Sequence, residues 1–178
     1  MNQIQLHDKK FTQKYDEYFL DEKIKELAGR ITEDYQNKLP LFLVVLNGAF
    51  VFSAILIRNV KVPCEVSFIK LASYHGTTST GKVHSLMGLT EPLAGRNIII
   101  VEDIVDTGNT LEHILEEVKK HGAESVEVAT LLLKPEAYTK PYPVKYAGLE
   151  VPNEFLVGFG LDYDGLGRNL SSIYTLSA

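Results

Sequence analysis

The run Asn97-Ile98-Ile99-Ile100-Val101-Glu102-Asp103-Ile104-Val105-Asp106-Thr107-Gly108-Asn109-Thr110-Leu111 leaves few options for the chain that contains it. Ile98 to Val101 form a short, apolar, β-branched run, which reads as a strand buried on both faces in a parallel sheet. Glu102 and Asp103 follow at once, with a third acid at Asp106 and the turn Thr107-Gly108-Asn109-Thr110. Leu111, Ile114, Leu115 and Val118 then recur at helical spacing. The order is strand, acids, turn, helix, the unit from which α/β folds are built.

A turn feeding a helix presents unpaired N–H groups to an anion such as phosphate. Gly108 lets the backbone approach a ligand closely, and Thr107 and Thr110 add hydroxyl donors. Three acids beside a phosphate would repel it unless they do other work. They can accept from sugar hydroxyls, act through Mg²⁺ or carry a proton. A ribose 5-phosphate bearing a pyrophosphate meets all three needs. A solvated strand end whose acids merely cap the next helix also accounts for the spacing. The run is neither a P-loop nor the dinucleotide fingerprint, because it lacks both Gly-Lys-Ser/Thr and Gly-x-Gly-x-x-Gly.

The rest of the chain fits a single α/β domain over residues 1–178, with its core at about 35–170. Ile24, Leu27, Ala28 and Ile31 share a helical face, with Asp21 and Glu22 at the favourable end. Ile4 and Leu6 suggest a short outer strand. Leu41 to Leu46 is a buried strand that breaks at Asn47-Gly48 and continues as a helix through Ile57. The same break argues against a membrane span over Leu39 to Ile57, long and apolar as that stretch is. Val62 to Leu71 reads as a strand, followed by the small, polar Ser73-Tyr74-His75-Gly76-Thr77-Thr78-Ser79-Thr80-Gly81 loop. Glu124 to Leu133 alternates and then turns wholly apolar before Lys134-Pro135. Phe50 and Phe52 suit either a core or an interface. Taken singly, Phe155 suits a core, and Asp162 and Arg168 suit a surface. Cys64, the one cysteine, excludes an internal disulfide, fits a reducing, cytoplasmic compartment and reads as a small buried residue. The net charge of −5 argues against a nucleic-acid partner.

Val101 to Thr110 resembles the phosphoribosyl-pyrophosphate (PRPP) signature of type I phosphoribosyltransferases, and more narrowly that of the hypoxanthine-guanine phosphoribosyltransferases. The resemblance spans roughly Leu41 to Leu170. It implies a parallel-sheet core flanked by helices, with a small hood made from the N- and C-terminal segments. Glu102 and Asp103 then match the acids that hold the ribose hydroxyls. Thr107, Gly108, Asn109 and Thr110 match the 5-phosphate turn. Asp106 matches the residue that manages a proton on purine N7.

Further matches follow from the same resemblance. Asn47 and Gly48 match the pyrophosphate loop, where a cis peptide is expected between them. Many relatives carry Lys in place of Asn47, so a backbone role is the one carried over. Ser73 and Tyr74 begin the family's long loop, a lid, with His75 as a surface residue on it. Lys134 matches the lysine that donates to O6 of a 6-oxopurine, and an ammonium, having only donors, disfavours an amino group there. Phe155 matches the aromatic that stacks on the base. Leu156, where many relatives have Val, matches its neighbour at the base edge. Asp162 matches an acid near a second Mg²⁺, and Arg168 an arginine that meets pyrophosphate. The implied metal residues are Glu102, Asp103 and Asp162, the implied cofactor is Mg²⁺, and a homodimer or homotetramer is expected.

The implied reaction is transfer of phosphoribosyl from PRPP to N9 of hypoxanthine or guanine, giving IMP or GMP in purine salvage. Lys134 with Phe155 speaks against adenine and uracil, while xanthine stays open. A non-catalytic regulator using the same pocket would need a basic face, which 18 basic against 23 acidic residues disfavours.

Overall fold

The computed structural model describes residues 2–73, 83–87 and 91–177. The main sheet contains β3 (Leu41–Leu46), β4 (Glu65–Ser73), β5 (Val83–Met87), β6 (Asn97–Val105), β7 (Ser125–Leu133) and β8 (Tyr146–Glu150), in the order β5-β4-β3-β6-β7-β8. The pairs from β4 through β8 are parallel, and β5 adds an antiparallel edge.

Alternation along the central strands builds two cores. Phe42, Val44, Ile99 and Val101 face α1 (Glu17–Asp34) and α2 (Phe50–Asn59). Leu41, Leu43, Ile98 and Ile100 face α3 (Asn109–Lys120). Both faces of the sheet are therefore covered, as the unbroken apolar runs require.

The hood is a second sheet, β1 (Gln3–Leu6), β2 (Lys9–Tyr15), β10 (Ile173–Leu176) and β9 (Leu156–Val157), in the order β1-β2-β10-β9. Phe11, Val157 and Tyr174 form its small core. The two ends of the chain thus meet in one antiparallel sheet, as expected.

Several boundaries differ from expectation. Helix α1 begins at Glu17, ahead of Asp21, because the Asp16 carboxylate caps it by accepting from Phe19 N–H at 2.8 Å. Strand β6 continues through the acids to Val105, since its pairing with β7 runs on to Val105 opposite Leu133. Phe52 is core, whereas Phe50 is exposed. Cys64 is only partly buried, at the margin of the α1/α2 core. No helix among the described residues is long and apolar enough to cross a membrane.

Candidate active site

Parallel strands present their carboxyl ends at one edge of the sheet, and in α/β folds ligands bind outside that edge. Strands β3, β6 and β7 are neighbours, so Asn47-Gly48, the acids with their turn, and Lys134 come together there. The last β3–β6 pair is Val44 with Val101; beyond it, Val45 and Leu46 pair with β4 alone. The two strands part where Glu102 and Asp103 begin. Into this opening falls a cavity of about 230 Å³ lined by Val45, Leu46, Gly48, Leu71, Glu102, Asp103 and Thr110.

The acids differ in surroundings. Glu102 is 8% exposed, and its Oε2 is buried with no hydrogen-bond partner among the described residues. Burial, with the neighbouring Asp103 carboxylate, pushes its pKa well above the usual carboxylate range. Asp103 is also shifted up by burial, opposed by the Ile104 N–H that donates to its Oδ1 at 2.9 Å and by the positive charge of Arg168. Asp106 is half exposed and accepts from Lys134 Nζ at 2.7 Å, while the Lys134 side chain is 9% exposed.

The turn closes a second cavity of about 90 Å³, lined by Glu102 and by Ile104 through Leu111. Gly108 lies in the left-handed region at φ 84°, and no side chain caps the helix that starts after it. The first N–H groups of α3 are therefore not taken by a side-chain cap.

A third wall comes from the segment after β9. Arg168 Nη2 meets Asp162 Oδ1 at 2.6 Å, and Arg168 Nη1 donates to the Gly160 carbonyl at 2.7 Å. The other Asp162 oxygen accepts from Gly165 N–H at 2.7 Å. Gly48 touches both walls, because a Cβ there would overlap Asp103 Oδ2. A Cβ on Gly160 would in turn overlap the Gly48 carbonyl. Gly160 escaped the reading of the sequence; its signal is the pair Gly158 and Gly160, both at positive φ around Phe159.

The cis peptide falls between Leu46 and Asn47, one bond earlier than expected. Phe155 is 49% exposed, and its ring meets Tyr163 edge-on at 5.9 Å. That exposure sets aside the reading of Phe155 as core. Leu156 is buried in β9 opposite Thr175, so its side chain packs inward. Ser73 ends β4, whereas Tyr74 and His75 lie outside the described residues. Among the described residues, no group of three or more His, Cys, Asp or Glu side chains is arranged to hold a metal unaided.

The family model of the phosphoribosyl transferase domain matches residues 16–164. The chain belongs to the phosphoribosyltransferase family. Among curated relatives of this phosphoribosyltransferase, a hypoxanthine-guanine phosphoribosyltransferase of Streptococcus pyogenes serotype M3 is 41% identical over 163 residues, covering 91% of each chain. One of Lactococcus lactis is 43% identical over 156 residues, covering 87% of this chain and 85% of that one. A crystal structure of a hypoxanthine-guanine phosphoribosyltransferase from Bacillus anthracis superimposes with a TM-score of 0.87 at 36% identity, over 94% of this chain and 97% of that one. A point mutant of the Trypanosoma cruzi hypoxanthine phosphoribosyltransferase, solved as a ternary substrates complex, gives a TM-score of 0.86 at 34% identity, over 93% and 94%.

The buried acids have a consequence for stability. A carboxylic acid whose folded pKa is raised is most favourable to the fold below its unfolded pKa, near 4.5 for an ordinary glutamate. That stability is lost as pH rises through the folded value. Glu102→Gln should therefore stabilise the ligand-free protein at pH 7, because the amide carries no charge to bury. The gain should shrink toward pH 4. Urea unfolding at the two pH values measures it, and equal stability of mutant and wild type at pH 7 would contradict the assignment.

Proposed function

We infer that this protein transfers the 5-phosphoribosyl group from PRPP to N9 of hypoxanthine or guanine, releasing pyrophosphate. The observation that carries the reading is the Lys134–Asp106 pair at 2.7 Å, held beside the phosphate turn at the open end of β6. It brings a donor suited to a purine O6 and a base suited to the adjacent N7 proton into contact. The sequence similarity to hypoxanthine-guanine phosphoribosyltransferases supports the same substrates.

The roles follow from the chemistry of each group. Thr107 to Thr110 and the start of α3 bind the 5-phosphate through N–H and hydroxyl donors. Glu102 and Asp103 accept from the ribose 2- and 3-hydroxyls. The buried Glu102 oxygen, without a partner among the described residues, is suited to such a donor. Asn47 and Gly48 supply backbone to the pyrophosphate, and Arg168, steadied by Asp162 and Gly160, offers its guanidinium as that charge departs. Asp106 accepts the N7 proton as N9 bonds to ribose C1 and the bond to pyrophosphate breaks. Phe155 stacks on the base, with the Leu156 backbone at its edge, and the segment from Ser73-Tyr74 serves as the lid.

The donor set fits Mg²⁺ carried in with the substrate, since this ion is usually bound by one or two carboxylates together with phosphate oxygens. Glu102, Asp103 and Asp162 would hold it. When bound, it offsets negative charge on the leaving pyrophosphate. The C-terminal region of a T. cruzi hypoxanthine phosphoribosyl transferase has been related to that enzyme's oligomeric state. A homodimer or homotetramer in a cytoplasmic setting completes the proposal for this chain.

The reverse reaction tests the reading. IMP with pyrophosphate and Mg²⁺ should give hypoxanthine and PRPP, and AMP should give no adenine. Turnover of AMP at the rate of IMP would contradict the role of Lys134. Lys134→Gln should lower kcat/KM for hypoxanthine by roughly 10- to 100-fold, the worth of a hydrogen bond from a charged donor. The preference over adenine should narrow with it, as competing-substrate assays would show.

A further inference from the structure

We propose that Tyr138 is a positioning residue that braces the phosphate turn from behind and so sets affinity for the 5-phosphate. The proposal rests on the phosphoribosyl reading and assigns a new residue to its site. The turn has two sides. One faces the cavity lined by Ile104 through Leu111. On another side Gly108 meets Tyr138 and Lys140: a Cβ at Gly108 would lie 2.5 Å from Tyr138 Cε2 and 2.8 Å from Lys140 Cγ. Neither residue lines the cavity, so neither is placed to touch the ligand from there.

The brace is fixed at both ends. The Tyr138 N–H donates to the Lys134 carbonyl at 3.0 Å, and the Ala137 N–H to the same oxygen at 3.1 Å. The Tyr138 hydroxyl donates to the Tyr142 carbonyl at 2.6 Å. Lys140 Nζ pairs with Glu112 in the first turn of α3 at 2.6 Å. One short segment thus links the residue assigned to the base, Lys134, to the turn assigned to the phosphate. Without a Cβ, Gly108 has no side chain of its own to hold its αL conformation in place. The flat ring of Tyr138 packs on that bare backbone and limits where the N–H groups of the turn can point. Binding of a small anion by such groups is sensitive to displacements of about an ångström.

The test is the ratio of affinities for GMP and guanosine, which differ only in the phosphate. Calorimetry on wild type, Tyr138→Ala and Tyr138→Phe gives it. Tyr138→Ala should reduce the GMP-to-guanosine ratio on the order of tenfold and raise KM for PRPP by a similar factor. KM for hypoxanthine should stay near wild type. Tyr138→Phe keeps the ring on Gly108 and should keep the ratio. Should Tyr138→Ala fail to fold, Tyr138→Leu restores most of the volume without a flat ring and carries the same expectation. A lower melting temperature with an unchanged ratio would overturn the proposal and leave Tyr138 as packing. A wild-type protein that binds GMP no better than guanosine would overturn the phosphoribosyl reading and this proposal with it.

Discussion

Asp106→Asn should lower kcat by roughly 10²- to 10⁴-fold, the usual contribution of a positioned general base. The fold should survive, because the Asp106 side chain is 45% exposed and lies at the end of β6 rather than in either core. Asn keeps the shape and an oxygen that can accept from Lys134. It lacks the charge and the capacity to take the N7 proton. KM for PRPP should change little, since the phosphate turn that follows is intact. Steady-state kinetics with hypoxanthine, together with urea unfolding, separates the two effects. A mutant within a few-fold of wild-type turnover would remove Asp106 from the proton-transfer role.

Gly48→Ala should damage both stability and PRPP use. The added Cβ would overlap Asp103 Oδ2 and sit 2.5 Å from Asp103 Cγ. Asp103 has little freedom to retreat, being buried and tied to the Ile104 N–H. On the other side, the Gly48 carbonyl lies against Gly160, whose own carbonyl accepts from Arg168. Overpacking of this kind costs about 1–3 kcal/mol. A shift of Asp103 or of the Arg168 wall should cut kcat/KM for PRPP on the order of 100-fold. KM for the purine should respond much less, because Lys134 and Phe155 stand on other elements. Full activity in Gly48→Ala would show that the Asn47-Gly48 loop plays no part in holding pyrophosphate.

The strand-acid-turn-helix order of Asn97 to Leu111 could be read directly, because a β-branched run, a glycine turn and a helical period are all local signals. The strand break at Asn47-Gly48 was legible for the same reason. Of the hood, only β1 was legible, from Ile4 and Leu6; its other strands were not. Strand β2, Lys-Lys-Phe-Thr-Gln-Lys-Tyr, buries Phe11 alone among mostly half-exposed residues, and β9 has only two residues. Neither shows a clear period of two; the hood came from resemblance. The end of β6 was misplaced because carboxylates are depleted in strands. Here the pairing with β7 carries the strand past Glu102 and Asp103.

Contacts between distant segments were the other hidden part. Lys134 and Asp106 are 28 residues apart, and nothing local joins them. Gly48 against Asp103, and Arg168 on the Gly160 carbonyl, depend on three loops meeting at one sheet edge. Taken singly, Asp162 and Arg168 read as surface residues. Their 2.6 Å pair gives them a place in one wall of the site.

The most direct measurement is a single forward assay with PRPP and Mg²⁺, offering hypoxanthine, guanine, xanthine, adenine and uracil separately and quantifying each nucleotide. IMP and GMP should form, with no AMP or UMP. No nucleotide from any base, by a protein that still binds PRPP, would contradict the transferase account and leave a nucleotide-sensing pocket in its place.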